Sequence, residues 1–208
     1  YNNNAYRISD ETLHFNGKST LISLQNGGGK SVLVQMLTAP FVHPKYRNTK
    51  DRLFESYFTT NKPSFILVEW ALDQGAGYVL TGLMVRKSQD MEEDRKENLD
   101  IIGIVSEYQS PCIQDIHHLP VVEKGKKEMI LKNFNSCRQL FETYKKDRDM
   151  KFFYYDLTNY AQSRQYFNKL MEYQINYKEW ETIIKKINLK ESGLSDLFAD
   201  CKDEKGLT

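Results

Sequence analysis

Apolar and polar positions follow three different periods along this chain. In the first third, Leu13 and Phe15 of "ETLHFNG" alternate with polar residues as in a half-buried strand, and Asn16-Gly17 is a strong hairpin-turn dipeptide. "STLISL" is then the expected return strand. A glycine run follows, and after it "KSVLVQMLTA" predicts a short helix stopped by Pro40, whose ring clashes with a continuing helix. "HPKYRNTKDR" is polar and basic and predicts a loop. In the middle third, "SFILVEWAL" is a continuous apolar run suited to a strand buried on both faces. "DQGAG" turns the chain, "YVLTGLMVR" pairs back, and "DIIGIVSEY" is a third strand of the same antiparallel meander. The charge run "QDMEEDRKEN" and the stretch "EKGKKE" predict exposed loops.

From Asn135 onward the period is helical. Cys137, Leu140, Phe141 and Tyr144 fall at i, i+3, i+4 and i+7. "KFFYYDL" is a short strand candidate. Tyr160, Phe167, Leu170 and Met171 mark a second helix with Thr158 or Asn159 as its cap. Trp180, Ile183, Ile184 and Ile187 mark a third, with Gly193 placed as a C-cap. Leu194, Leu197, Phe198 and Cys201 begin a fourth. The pattern predicts an α/β chain: a sheet-bearing lobe over 1–133 and a mainly helical lobe over 134–208. The first residue is not methionine and no helix stop precedes the last, so the chain reads as a fragment of a longer one.

Composition narrows the class. Of 208 residues, 29 are basic and 28 acidic, a net charge of +1, so contact with nucleic acid has to rest on a local patch. Three cysteines, Cys112, Cys137 and Cys201, stand far apart with no zinc-type spacing, which points to reduced thiols and a cytoplasmic setting. His117 and His118 are adjacent and in a strand would face opposite ways, a poor start for a metal site. No apolar run reaches the roughly 18 residues a membrane span needs, and no signal-peptide pattern is present.

The chemistry concentrates in Asn26-Gly27-Gly28-Gly29-Lys30-Ser31, set between an apolar strand and an apolar helix. Consecutive glycines let backbone N–H groups turn inward to form an anion-binding nest, and the following helix adds its dipole and unpaired donors. Lys30 supplies a point charge for the outer phosphates of ATP, and Ser31 a hydroxyl ligand for Mg2+. This is the logic of the strand–GxxxxGK[ST]–helix phosphate loop. The first glycine of that motif would stand at position 24, where this chain has Leu24.

An ATPase of this kind also needs an acidic residue to hold Mg2+ and position water. Glu69 follows the apolar run "FILV", and Asp156 follows "FFYY". Each is read either as that metal ligand or more simply, Glu69 as a lone polar residue in a strand and Asp156 as a helix-capping carboxylate. No Asp-Glu pair ends an apolar run, so the catalytic carboxylates are expected outside this chain. In the alternative reading the chain is a self-contained P-loop NTPase or kinase that uses Glu69 or Asp156.

"LQNGGGKSVL" resembles the phosphate loop of ABC-type ATPase heads of the SMC group, which includes MukB-like condensins and the plasmid-defence complexes called Wadjet. "EYQINYKEWETIIKKINLKESGLSDLF" is similar to the helical part of MukB-like N-terminal heads, ahead of their coiled coil. The resemblance implies the N-terminal half of a P-loop head that dimerises with a second head around ATP. The C-terminal half of the same head would supply the signature loop and the acidic strand; no LSGG-like sequence stands in this chain. DNA and a kleisin-like subunit are the further partners implied, in chromosome maintenance or defence against plasmids. The family also places a glutamine on a switch loop, for which Gln109, or Asn188 or Glu191 in its stead, are the positions offered. Finally, Lys45, Arg47, Lys50 and Arg52 cluster in the basic loop. They are either a solvated surface or a phosphate contact, with Arg47 and Arg52 the expected DNA-binding residues.

Overall fold

A computed structural model describes residues 10–25, 29–49, 52–89, 97–125 and 129–188. In chain order its elements are α1 (Lys30–Thr38), α2 (Pro44–Arg47), β1 (Ser64–Ala71), β2 (Tyr78–Lys87), β3 (Leu99–Tyr108), β4 (Val122–Lys124), β5 (Met129–Leu131), α3 (Phe134–Lys146), β6 (Lys151–Asp156), α4 (Tyr160–Glu172) and α5 (Tyr177–Asn188). β1, β2, β3 and β6 form one antiparallel sheet in that order.

Strand alternation divides this sheet into two faces with separate cores. On one face, Val79, Leu83, Val85, Ile101 and Val105 meet Tyr166, Phe167 and Leu170 of α4, with Phe41, Phe54, Tyr57 and Phe58 closing the edge. Val32 and Met36 of α1 and Tyr177 and Trp180 of α5 pack against this cluster. On the other face, Leu80, Met84, Ile102 and Ile104 meet Phe134, Cys137, Phe141 and Tyr144 of α3, together with Leu119 and Val121 of the preceding loop. The sheet is thus sandwiched between α1, α4 and α5 on one side and α3 on the other.

The three meander strands and the three helical stripes that fall on described residues take the form their periods predict, with informative exceptions. Asn159 caps α4 by accepting a hydrogen bond from the Gln162 N–H at 3.1 Å, and Asn133 caps α3 in the same way through Ser136 at 2.9 Å. Of the α4 stripe, however, Tyr160 is 84% exposed and Met171 is exposed too; the buried positions are Tyr166, Phe167 and Leu170. Ile183 of α5 is likewise exposed, while Ile184 is buried. A helix lying on a sheet buries a narrower stripe than an i, i+3, i+4, i+7 count assumes. The Ile187 side chain, Gly193 and the expected fourth helix lie outside the described residues.

Three expectations are corrected. The hairpin before the glycine loop has its turn, with Asn16 and Gly17 at φ 51° and 63° and the Lys18 N–H donating to Phe15 O at 3.0 Å. Its arms, 11–15 and 19–24, are not strands, and Leu21 is 94% exposed. A two-stranded ribbon is marginal without a further strand or helix to cover it, and no described strand lies beside these arms. Second, β1 is the edge strand, half-buried over Ile66 to Trp70. The strands buried on both faces are β2 and β3, which run through the middle of the sheet between the two cores. Third, β6 pairs with β3 from Ile102↔Asp156 to Glu107↔Lys151, so a boundary at 133/134 would cut the sheet. The expected loop around "EKGKKE" joins the small ribbon β4–β5, which its alternation did not announce; residues 126–128 and the charged stretch 90–96 lie outside the described residues.

Candidate functional site

α1 begins directly after Gly29, whose φ of 87° and ψ of 20° are left-handed. A side chain resists that conformation, so the turn into the helix explains this glycine. A Cβ added to Gly29 would meet no atom of the described residues within 4 Å. The first intrahelical bond runs from the Leu33 N–H to Gly29 O at 2.9 Å. The N–H groups ahead of it have no carbonyl four residues back in the helix. No acidic residue stands in the first turn to compete for the positive end of the helix dipole. Lys30 and Ser31 are both exposed at this end, while Val32 and Met36 on the other side of α1 anchor it beside Ile66, Val68 and Trp70 of β1.

A helix N-terminus, an αL glycine, an ammonium and a hydroxyl fit a nucleotide phosphate with its Mg2+. Lys30 would face the outer phosphates and Ser31 the metal ion, which would neutralise phosphate charge. Asn26, Gly27 and Gly28 lie outside the described residues.

The acid candidates are placed by strand alternation. Glu69 shares its face of β1 with Phe65 and Leu67, which belong to the core under α3. Ile66, Val68 and Trp70 point the other way, toward α1. Glu69 accepts a short hydrogen bond from the Tyr108 hydroxyl. Burial, and then this carboxylate, push the Tyr108 pKa well above the ordinary phenol value. Asp156 ends β6 in register with Phe152 and Tyr154, again the α3 face. Its carboxylate accepts from the Thr158 N–H at 3.0 Å and the Thr158 hydroxyl at 2.6 Å, tying down the turn before α4. Both carboxylates thus alternate onto the face of the sheet opposite the one that carries α1.

Gln109 follows β3, and its amide donates to Ala76 O at 3.1 Å, bracing the β1–β2 turn. Asn188 ends α5 and Glu191 lies outside the described residues. The adjacent histidines are in a turn, not a strand. Both backbone N–H groups donate to Asp115 Oδ1 at 2.8 Å, and His118 Nδ1 lies 2.8 Å from Asp115 Oδ2. Among the described residues no group of three or more His, Cys, Asp or Glu side chains is placed to hold a metal ion.

The basic loop separates its two arginines. Arg52 is exposed. Arg47 is 1% exposed, with its Nε donating to Ala39 O at 3.1 Å and its guanidinium 5.7 Å from the Phe54 ring. Among the described residues neither terminal nitrogen of Arg47 has a hydrogen-bond partner. Burial pushes its pKa down against the opposing pull of Glu97, and burial raises Glu97 in turn against the pull of Arg47. A guanidinium enclosed in this way does not reach a DNA backbone, so the expected Arg47 contact is corrected on grounds of burial. The residues around it went unnoticed in the sequence. Gln35, 3% exposed, donates its amide to Arg47 O at 2.6 Å and accepts from the Tyr57 hydroxyl at 2.8 Å. The available signal was a lone polar residue inside the apolar helix run "VLVQML".

The AAA domain family model matches residues 2–201, and the chain belongs to that family of P-loop ATPases, in which ATP binding, as a rule with Mg2+, is a shared property. No curated protein and no solved structure matched the chain. No helix among the described residues is long and apolar enough to cross a membrane.

Proposed function

We propose that this chain is the ATP-binding half of an SMC-like ATPase head, which pairs with a second head around ATP and couples hydrolysis to DNA entrapment or translocation in chromosome maintenance or defence against plasmids. The observation that carries the reading is the division of the sheet. The phosphate-loop helix packs on one face with Lys30 and Ser31 exposed, and the carboxylates that end apolar strands, Glu69 and Asp156, lie on the other face with partners of their own. The acid that completes the Mg2+ site is then supplied by another polypeptide surface, the C-terminal half of the head, and the signature loop by the second head. ATP favours the engaged state because its phosphates touch both heads. Asn26 to Ser31 hold the triphosphate, Ser31 the Mg2+, and Arg52 the DNA backbone; a kleisin-like subunit would bridge the heads in the cytoplasm.

Steady-state ATP hydrolysis by the chain alone, and again with a C-terminal head half added, tests this. The reading predicts turnover only in the mixture, unchanged in Glu69→Gln and Asp156→Asn. Robust turnover by the chain alone that either substitution abolishes would replace it with a self-contained P-loop NTPase or kinase.

A further inference from the structure

The basic loop hangs from the phosphate-loop helix by one buried amide. Gln35 lies five residues after Lys30 on α1, about 7.5 Å further along the axis. Its Nε2 donates to Arg47 O at 2.6 Å and approaches Arg52 O at 3.5 Å, so one side chain meets both ends of the loop. The loop is closed on itself at the same place. The Thr49 N–H donates to Arg52 O at 3.0 Å, the Arg52 N–H to Thr49 Oγ1 at 3.1 Å, and the Phe54 N–H to Asn48 Oδ1 at 2.7 Å. The Tyr57 hydroxyl donates to Gln35 Oε1 at 2.8 Å, which fixes which end of the amide faces the two carbonyls. Arg47 adds a second tie, from its Nε to Ala39 O just past α1. Buried amides so placed are costly to leave unpaired, which ties the described ends of the loop, Arg47–Thr49 and Arg52–Phe54, to the helix.

We propose that Gln35 is a positioning residue that locks the Arg52-bearing loop to the phosphate-loop helix, so that the Arg52 anion contact is held in fixed geometry relative to the nucleotide site. The inference rests on the reading above, in which Arg52 meets DNA phosphate and Lys30 meets ATP. Neither Gln35 nor Tyr57 touches either ligand; both act through the loop backbone. Truncating the amide frees the loop, and Arg52 then loses its phosphate contact while the glycine loop keeps its own.

The test uses the chain together with the C-terminal head half, a random-sequence DNA duplex titrated over a range of salt with Mg-ATP present, and calorimetry with Mg-ATP. Gln35→Met keeps length and apolarity and removes both hydrogen-bonding functions. Tyr57→Phe removes only the hydroxyl that orients the amide, and carries the test if the first variant does not fold. Arg52→Ala is expected to lower the log–log salt slope by about one unit. Gln35→Met and Tyr57→Phe are expected to lower it by the same amount, to add nothing when combined with Arg52→Ala, and to leave Mg-ATP affinity within about threefold. A purely structural role would move the melting temperature and leave the slope alone. Folded variants that keep the full slope while Arg52→Ala loses it overturn the positioning role and leave the parent reading standing. A slope that Arg52→Ala does not change overturns this proposal together with the DNA contact, and calorimetry then judges the ATP site separately.

Discussion

The Tyr108 hydroxyl donates to the Glu69 carboxylate on the α3 face of the sheet, away from the helix that follows the glycine loop. That one contact decides how an acidic residue at the end of an apolar run is read. Glu69 has a structural partner across the strands, and its face points away from Ser31. Tyr108→Phe should cost about 1–2 kcal/mol of unfolding free energy, the scale of a hydrogen bond to a charged group, measured by urea denaturation. Nucleotide affinity should not change. A variant of full stability with weakened Mg-ATP binding would place Glu69 at the metal after all.

Gly103 of β3 faces Tyr166 of α4. A Cβ at this position would stand 2.7 Å from the Tyr166 ring, which is fully buried and whose hydroxyl donates to Pro40 O at 3.1 Å. The ring has no room to retreat. Gly103→Ala is expected to destabilise the fold by about 1–3 kcal/mol through overpacking. Thermal denaturation of Gly103→Ala with and without Tyr166→Phe checks it: if the clash is with the ring, the hydroxyl deletion relieves little.

Much of this arrangement was legible in the sequence, for identifiable reasons. β1 to β3 stand out because each is long, apolar and punctuated by glycine or charge, and α3 to α5 because their stripes recur at helical spacing. β6 was visible as a strand, but its place beside β3 was not, since a strand's partner is set by tertiary packing rather than local period. The hairpin at Asn16-Gly17 shows the converse. Turn chemistry is local and formed; pairing of 11–15 with 19–24 needs cover that the described residues do not supply. Around the glycine loop, the helix start after Gly29 was readable because a glycine run ahead of an apolar helix run marks such a turn. Arg47 was not, because a basic residue in a polar run reads as surface. Its burial comes with the Phe54 ring against the guanidinium and the bond to Ala39 O, which no local pattern records.

Arg47 and Arg52 should behave oppositely. Arg47→Met removes the Nε bond to Ala39 O and leaves Glu97 without its counter-charge, so it should lower unfolding free energy by about 1–3 kcal/mol. The exposed Arg52→Ala should instead leave stability unchanged and lower the DNA salt slope by about one unit. Urea denaturation and salt-dependent DNA titration measure the two quantities. An Arg47→Met variant of unchanged stability would contradict the enclosed, bonded position of this guanidinium.

Asp115 makes the loop after β3 acid-sensitive. Burial alone would raise its pKa, but His118 and the backbone N–H groups of Cys112, His117 and His118 outweigh burial and hold it below the usual 3.8. A carboxylate whose pKa is depressed in the folded chain stabilises above its unfolded pKa, and that contribution is lost as pH falls through the folded value. Asp115→Asn should therefore be less stable than the parent by about 1–3 kcal/mol near neutral pH, and the gap should close as pH drops below 3.8. Unfolding free energy against pH checks the sign; a gap that widens in acid would contradict it.

In the proposed function the helix entry at Gly29 to Ser31 seats a magnesium-bound triphosphate. Calorimetric titration of Mg-ATP into the chain and into Lys30→Ala measures this directly. Saturable one-to-one binding that weakens by at least about tenfold in Lys30→Ala, roughly 1.4 kcal/mol, is the predicted result. Binding of equal strength in both, or none in the parent chain, would contradict it.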